Sequence, residues 1–282
     1  MFCPPTEAQK RLYRDVINSQ VFRMATGTAG SPTVHLFCLT LLRKLCNSLQ
    51  LLKDERAGDD DDGDAPTPTK AGRPEQMAYK ALRDDLAGKL EGVDSSEHSG
   101  TRALTCFSAS SHKCIGKLMA LRSLLKLVRG KTREKVVLVS SYTQTLDVFE
   151  TMCGEDGYSF LRLDGATPTN KRQAIVDRFN SKHCDDFILL LSARAGGVGL
   201  NLVGASRIVL YDINWNPAID LQAMARIWRE GQARPVVIYR LLTTGSIEEK
   251  VYQRQLSKIA LSDAVIVRPL CMPYCCSQTS TG

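Results

Sequence analysis

The sequence predicts an α/β protein, a parallel sheet with flanking helices, joined to an N-terminal helical segment. Five short runs, "KVVLVSSY", "YSFLRLDG", "DFILLLSA", "RIVLYD" and "PVVIYRLLT", are nearly continuous in Val, Ile and Leu. That is the pattern of strands covered on both faces. Segments with helical spacing of apolar residues separate them, including "TQTLDVFETMC", "TNKRQAIVDRFN" and "PAIDLQAMARIWR". Such alternation is the signature of a parallel sheet wrapped by helices.

The elements follow in order. Residues 6–24 predict a helix, because Thr6 and Gln9 stand at capping-box spacing and Leu12, Val16 and Ile17 recur at helical intervals. The next stretch, "VHLFCLTLLRKLCNSLQLL", is apolar almost all round and needs burial on several sides, as in part of a larger assembly. These two make up a helical segment, residues 1–53. From 54 to 111 the chain reads "DERAGDDDDGDAPTPTKAGRPEQ" and then "EGVDSSEHSG", with too few apolar residues to offset the entropy of ordering. This predicts an acidic, largely disordered insertion with a short helix at 75–90. "IGKLMALRSLLKLVRG" then presents Leu118, Leu121, Leu125 and Val128 on one face and opens the α/β lobe, residues 112–262. "SIEEKVYQRQLSKIA" closes it, with Ser246 and Glu249 as a second predicted capping box. Residues 263–282 form a divergent tail predicted to be disordered.

Composition narrows the partners. A formal net charge of +7 and a pI of about 8.9 favour a polyanionic partner. The ten cysteines include no C-x-x-C pair, and the four histidines complete no zinc spacing, so reduced, buried thiols in an intracellular compartment are expected, with no metal site. No run is long enough for a membrane span, and no membrane partner is expected.

Ligands of wound parallel sheets gather beyond the carboxyl ends of the strands, so the loops there are the candidate sites. Asp164-Gly165-Ala166-Thr167-Pro168 precedes a helix carrying Lys171 and Arg172 and suits either phosphate or a plain strand-to-helix turn. The loop from Ser192 to Asn201 holds Gly196, Gly197 and Gly199, three glycines in four positions, as needed where a backbone or ligand approaches closely. Pro217 suits a first helical turn. Gln222, Arg226 and Arg229 then fall at i, i+4 and i+7 on one helical face. Two arginines so placed either fork onto phosphate oxygens or join Asp220 and Glu230 in a surface ion-pair face. "GKT" at 130–132 is not a Walker A loop, since Leu125 stands where its first glycine would be and no strand precedes it.

Read in order, "VVLVSSYTQTLDVFE", "FLRLDGATP", "VDRFN", "LLLSARAGGVGLNLVGASRIVLYDINWNPAIDLQAMARIWREGQ" and "VIYRLLTTGSIEEKVYQRQ" resemble motifs IV, V and VI of superfamily-two helicases. More narrowly they resemble the Swi/Snf-type DNA translocases and, within those, the Rad fifty-four branch of homologous recombination, its B-paralogue subgroup above all. The resemblance covers residues 1–53 and 112–260. It implies a RecA-like C-terminal lobe that clamps ATP and Mg together with a first lobe and tracks along double-stranded DNA in the nucleus, with the recombinase filament and chromatin as further partners. It also implies that Arg229, as arginine finger, and Arg226 are catalytic. Gln222, Gly197 and Gly199 would lie at the nucleotide. Ser140, Ser141, Tyr142, Arg162, Asp164, Gly165, Thr167, Ser192, Arg194, Gly196 and Asn201 would face the DNA.

The chain departs from the family in four places, the first being the acidic insertion at 54–111, which stands where the family has a more structured stretch. No Walker A lysine or Walker B acidic box occurs in the 282 residues, so the isolated chain is expected to be inactive as an ATPase. "KLCN" continues into Ser-Leu where the family usually has His-Pro, and the tail matches nothing expected after the last helix. Two other readings stay open: a non-catalytic module that grips DNA or a full-length relative, and a chromatin remodeller. The remodellers usually read "DRIHRIGQ" where this chain has "ARIWREGQ".

Overall fold

The computed structural model describes residues 1–26, 32–52, 80–89, 116–132, 134–181, 183–195 and 199–266. In chain order the elements are β1 (Phe2–Cys3), α1 (Glu7–Asn18), α2 (Gln20–Thr26), α3 (Pro32–Asn47), a 3-10 turn (Leu49–Leu52), α4 (80–89), α5 (Gly116–Lys131), β2 (Val136–Ser140), α6 (Thr143–Glu155), β3 (Phe160–Leu163), α7 (Thr169–Asn180), β4 (Ile188–Ser192), β5 (Arg207–Leu210), α8 (Pro217–Met224), β6 (Val237–Arg240), β7 (Leu242–Thr243) and α9 (Ile247–Ile266).

The five predicted strands form one parallel sheet in the order β3-β4-β2-β5-β6. Their continuous apolar character follows from burial on both faces. On β2, Val136 and Leu138 enter one core and Val137 and Val139 the other; β4 divides Ile188 and Leu190 from Leu189 and Leu191, and β5 divides Val209 from Ile208 and Leu210. The first core is completed from α5 by Leu118, Leu121 and Leu125 and from α6 by Phe149 and Met152. The second is closed by Val176 and Phe179 of α7, by Ala223 and Met224 of α8, and by Ile227 beyond it.

The N-terminal helices make a third core around Leu12, Val16, Leu41, Leu42, Leu45, Leu49 and Leu52. The predicted box at α1 is present: Thr6 Oγ accepts from Gln9 N, and Gln9 Oε1 accepts from Thr6 N. Within the chain α3 packs against α1, α2, α5 and α9, and Leu36 on it stays exposed. The segment is also tied into the lobe, because β1 pairs in parallel with β7 and both Cys3 and Leu51 sit in the first core. Within the expected disordered insertion, residues 80–89 are helical and bury Leu82 and Leu86 against the N-terminal core. The rest of the insertion (53–79 and 90–115) and the tail from 267 lie outside the described residues.

Two local readings are corrected. The helix over "PAIDLQAMARIWR" ends at Met224, and the chain continues through a series of tight turns: Arg226 N donates to Ala223 O, and Ile227 N and Trp228 N both donate to Met224 O. Tertiary bonds take over the backbone here, with Leu202 N donating to Arg226 O at 2.9 Å and Gln232 Nε2 donating to Ile227 O at 3.3 Å and Ala205 O at 2.7 Å. At α9, Ser246 Oγ accepts from Glu248 N and donates to Thr243 O, while Glu248, not Glu249, turns its carboxylate back to accept from Thr243 N.

Candidate functional site: the carboxyl edge of the sheet

Register places the ends of the strands together. Ser140 is paired with Ser192, Val139 with Leu210 and Leu163 with Leu191. The loops beginning at Ser140, Asp164, Ser192 and Tyr211 therefore leave the sheet along one edge.

Beneath that edge lies a buried polar network that sequence spacing does not reveal. The Asp212 carboxylate accepts from Ser141 N (2.8 Å), Asn47 Nδ2 (3.0 Å) and the Ser140 hydroxyl. The side-chain oxygen of Asn47 accepts from Lys117 Nζ at 2.7 Å, and its carbonyl accepts from Tyr211 Oη at 2.9 Å. Lys117 is 1% exposed and directs its three donors to Asn47, Tyr211 O (3.0 Å) and Glu248 Oε1 (2.6 Å). Glu248, 2% exposed, accepts from Thr243 N through its other oxygen. The ion pair thus joins α3, α5, the ends of β2 and β5, and α9. Its components carry a weak signal in the sequence: an isolated lysine on the apolar face of α5 and an aspartate directly after a buried strand.

This network takes up part of the predicted DNA-facing set. Ser140, Ser141 and Tyr142 are buried, and Asp212 is held by the Ser140 hydroxyl and the Ser141 backbone amide. The Tyr142 ring is covered by Arg43 and Lys44, 5.4 and 5.9 Å from its centroid. Ser192 is buried too, its hydroxyl accepting from Ala195 N at 3.2 Å to start the glycine loop.

The Asp164 loop shows the plain-turn chemistry. Asp164 Oδ1 accepts from Ala166 N, Thr167 N and the Thr167 hydroxyl. Arg162 is clamped by Asp164 at 2.7 Å, Asp147 at 2.6 Å and Glu150 at 3.2 Å, so its guanidinium is engaged with carboxylates and is not presented to phosphate. Burial pulls the Asp164 carboxyl up, but Arg162, Thr167 and the loop amide outweigh it and hold it below the ordinary carboxylate range. Gly165 is exposed and Thr167 half-buried at the tip.

The remaining candidates reach the surface, although α8 ends at Met224 and does not carry Arg226 and Arg229 on one helical face with Gln222. Gln222 and Arg229 are exposed, Arg226 is half-buried, and Arg194 and Asn201 are exposed in the glycine loop. Arg229 Nη1 donates to Gly199 O at 3.3 Å, bringing the arginine segment onto that loop. Gly199 has φ +33°, in the region that favours glycine. Gly196 and Gly197 lie outside the described residues. The ion-pair reading of the arginine face loses Asp220, which turns inward, accepts from Gln255 Nε2 at 2.7 Å, and is 5% exposed.

Burial, opposed by the Gln255 bond, raises the Asp220 carboxyl to about 6 from 3.8. The folded state therefore holds a proton that the unfolded chain releases, and this contribution to stability is full below the unfolded value and lost as pH rises through about 6. In denaturant titrations, Asp220→Asn is expected to gain on the native chain by up to about 3 kcal/mol between pH 4 and pH 7. A difference independent of pH would contradict the assignment.

The fit to nucleotide is one-sided. Arg226, Arg229 and Gln222 suit phosphate oxygens, but no group of three or more His, Cys, Asp or Glu among the described residues could hold a metal ion. Among the described cysteines, Cys3, Cys38, Cys46 and Cys153 are free and buried, and burial pushes the Cys38 thiol up to about 11 and the Cys46 and Cys153 thiols up to about 12.

Comparison with known proteins agrees with this layout. The helicase conserved C-terminal domain matches residues 116–231, from the first turn of α5 through the arginine segment. The chain is similar to the Swi/Snf-type helicases of superfamily two. It corresponds to their C-terminal lobe. It is 45% identical to the DNA repair and recombination protein RAD54B of Mus musculus over 94% of this chain and 28% of the mouse protein. To RAD54B of Gallus gallus it is 46% identical over 94% of this chain and 27% of that protein, and to RAD54 of Saccharomyces cerevisiae 40% identical over 92% and 25%. The chain therefore spans about a quarter of the length of these relatives. Among solved structures, the C-terminal part of the Fun30 ATPase domain aligns with a TM-score of 0.62 at 27% identity, over 90% of this chain and 87% of that one. The lobe is RecA-like, as the resemblance implied.

Proposed function

We propose that this chain is the second motor lobe of an ATP-dependent double-stranded DNA translocase acting in double-strand break repair by homologous recombination and in chromatin remodelling in the nucleus. The observation that supports this reading best is the meeting of Arg229 with the glycine loop at Gly199, on the edge where the strands end. An arginine reaching across from one lobe to phosphates held by another stabilises the charge that develops in phosphoryl transfer. ATP and Mg would be held chiefly by the first lobe, with Arg229, Arg226 and Gln222 closing over the phosphates. DNA would be gripped through its backbone, which gives weak sequence preference and strong salt dependence. The recombinase filament and chromatin are the further partners of this reading.

The same residues support an isolated chain that is inactive, since no Walker A lysine is present in the sequence. Titration of the purified chain with fluorescent duplex over a salt series is expected to give log K falling linearly with log salt, by about 0.9 for each phosphate contacted, without ATP hydrolysis. Hydrolysis well above that of an Arg229→Ala control would overturn the inactive reading, and duplex binding insensitive to salt would overturn the backbone grip. A non-catalytic module that competes with a full-length relative is the second reading, and the absent Walker A lysine favours it for the chain on its own.

A further inference from the structure

On α9, Lys250, Arg254 and Lys258 recur at i, i+4 and i+8, so they form one stripe about 12 Å long. All three are exposed. Lys250 and Arg254 line a groove of about 440 Å³ with Gln253 and Ser257 from the same helix, His35 and Leu39 from α3, Ile247, and Trp215 from the loop after β5. Lys258 borders it, donating to Trp215 O at 3.3 Å. Among the described residues no acidic side chain lines this groove. Among the described residues no ion pair engages Lys250, Arg254 or Lys258. Of the two carboxylates in the first turn of α9, Glu248 is buried and committed to Lys117, and Glu249, half-buried beside Lys250, makes no ion pair with the described residues of the stripe. The contrast with Arg162, Arg122 and Arg207 is informative, because each of those is paired with at least one carboxylate.

We propose that this stripe is a second phosphate track, which grips the backbone of duplex DNA beside the sheet edge. The inference rests on the reading of the lobe as a DNA-binding module and assigns part of the grip to α9. Three cations about 6 Å apart, with an amide and a hydroxyl between them, match a regularly charged polymer better than a compact anion. The half-buried Trp215 gives the groove an apolar floor for sugar edges. An acidic polypeptide offers a less regular charge and is the outcome that the test must separate.

The test compares the native chain with Lys250→Gln/Arg254→Gln/Lys258→Gln on a fluorescent duplex over a salt series, with a poly-aspartate peptide as the competing probe. All three positions are exposed, so unfolding midpoints are expected to agree. The variant is expected to lose about 2 to 3 from the slope of log K against log salt and on the order of tenfold or more in affinity at low salt, with Arg254→Lys in place of Arg254→Gln restoring one contact. A native chain that binds duplex and a variant with the same slope would overturn the track and leave the sheet edge as the site. Loss of poly-aspartate binding with duplex binding unchanged would overturn it in favour of an acidic protein partner. A native chain that fails to bind duplex at all would overturn both the track and the DNA-binding reading.

Discussion

Replacing Lys117 with methionine is expected to lower the free energy of unfolding by about 3–5 kcal/mol, measured by urea denaturation at neutral pH. The substitution keeps the stem volume but strands Glu248, 2% exposed, with one oxygen unsatisfied in a low-dielectric site. It also removes donors from Asn47 Oδ1 and Tyr211 O, so the damage spreads to the Asp212 support under Ser140 and Ser141. Pairing it with Glu248→Met is expected to recover a large part of the loss, since no charge is then left buried and alone. Additive losses from the two single changes would show that the pair is not coupled and that the network is incidental.

Arg229→Ala is expected to abolish DNA-stimulated hydrolysis in the two-lobe motor, with a loss on the order of 10³-fold or more, while duplex affinity changes little. The split between the two measurements matters. Arg229 is exposed and reaches Gly199 O through its guanidinium, so its removal leaves the cores and the α9 stripe intact. Arg229→Lys keeps the charge but loses the planar fork, and is expected to fall between the native chain and alanine. Equal losses of affinity and hydrolysis would place Arg229 on DNA and not at the phosphates.

The fold was legible because the sheet imposes its pattern on the sequence. Strands buried on both faces cannot hold polar residues, and runs such as "DFILLL" announce themselves. The capping box at Thr6 and Gln9 was equally plain, because both partners lie within four residues. The errors came where distant residues decide. Helical spacing continues past Met224, yet the Leu202 amide and the Gln232 side chain capture the carbonyls of Arg226 and Ile227 and break the helix there. Ser140 and Ser141 stand after a strand, where ligands gather, and Asp212, some seventy residues on, takes up the Ser140 hydroxyl and the Ser141 amide. Arg162 has the chemistry for phosphate, but α6 supplies Asp147 and Glu150 to hold it, which no spacing within its own motif reveals. Lys117, Asn47, Asp212 and Glu248 come from four separate stretches of the chain, and only folding makes them a network.

The most direct test of the account is complementation. This chain is mixed with a separately expressed first lobe from a close relative, and ATP hydrolysis is followed with and without duplex DNA. Hydrolysis that emerges only on mixing, requires duplex and vanishes with Arg229→Ala is the predicted result. If the mixture binds duplex but hydrolyses no ATP, the carboxyl edge of this lobe is not half of a nucleotide site, and the chain is a DNA-binding module whose arginines serve another purpose.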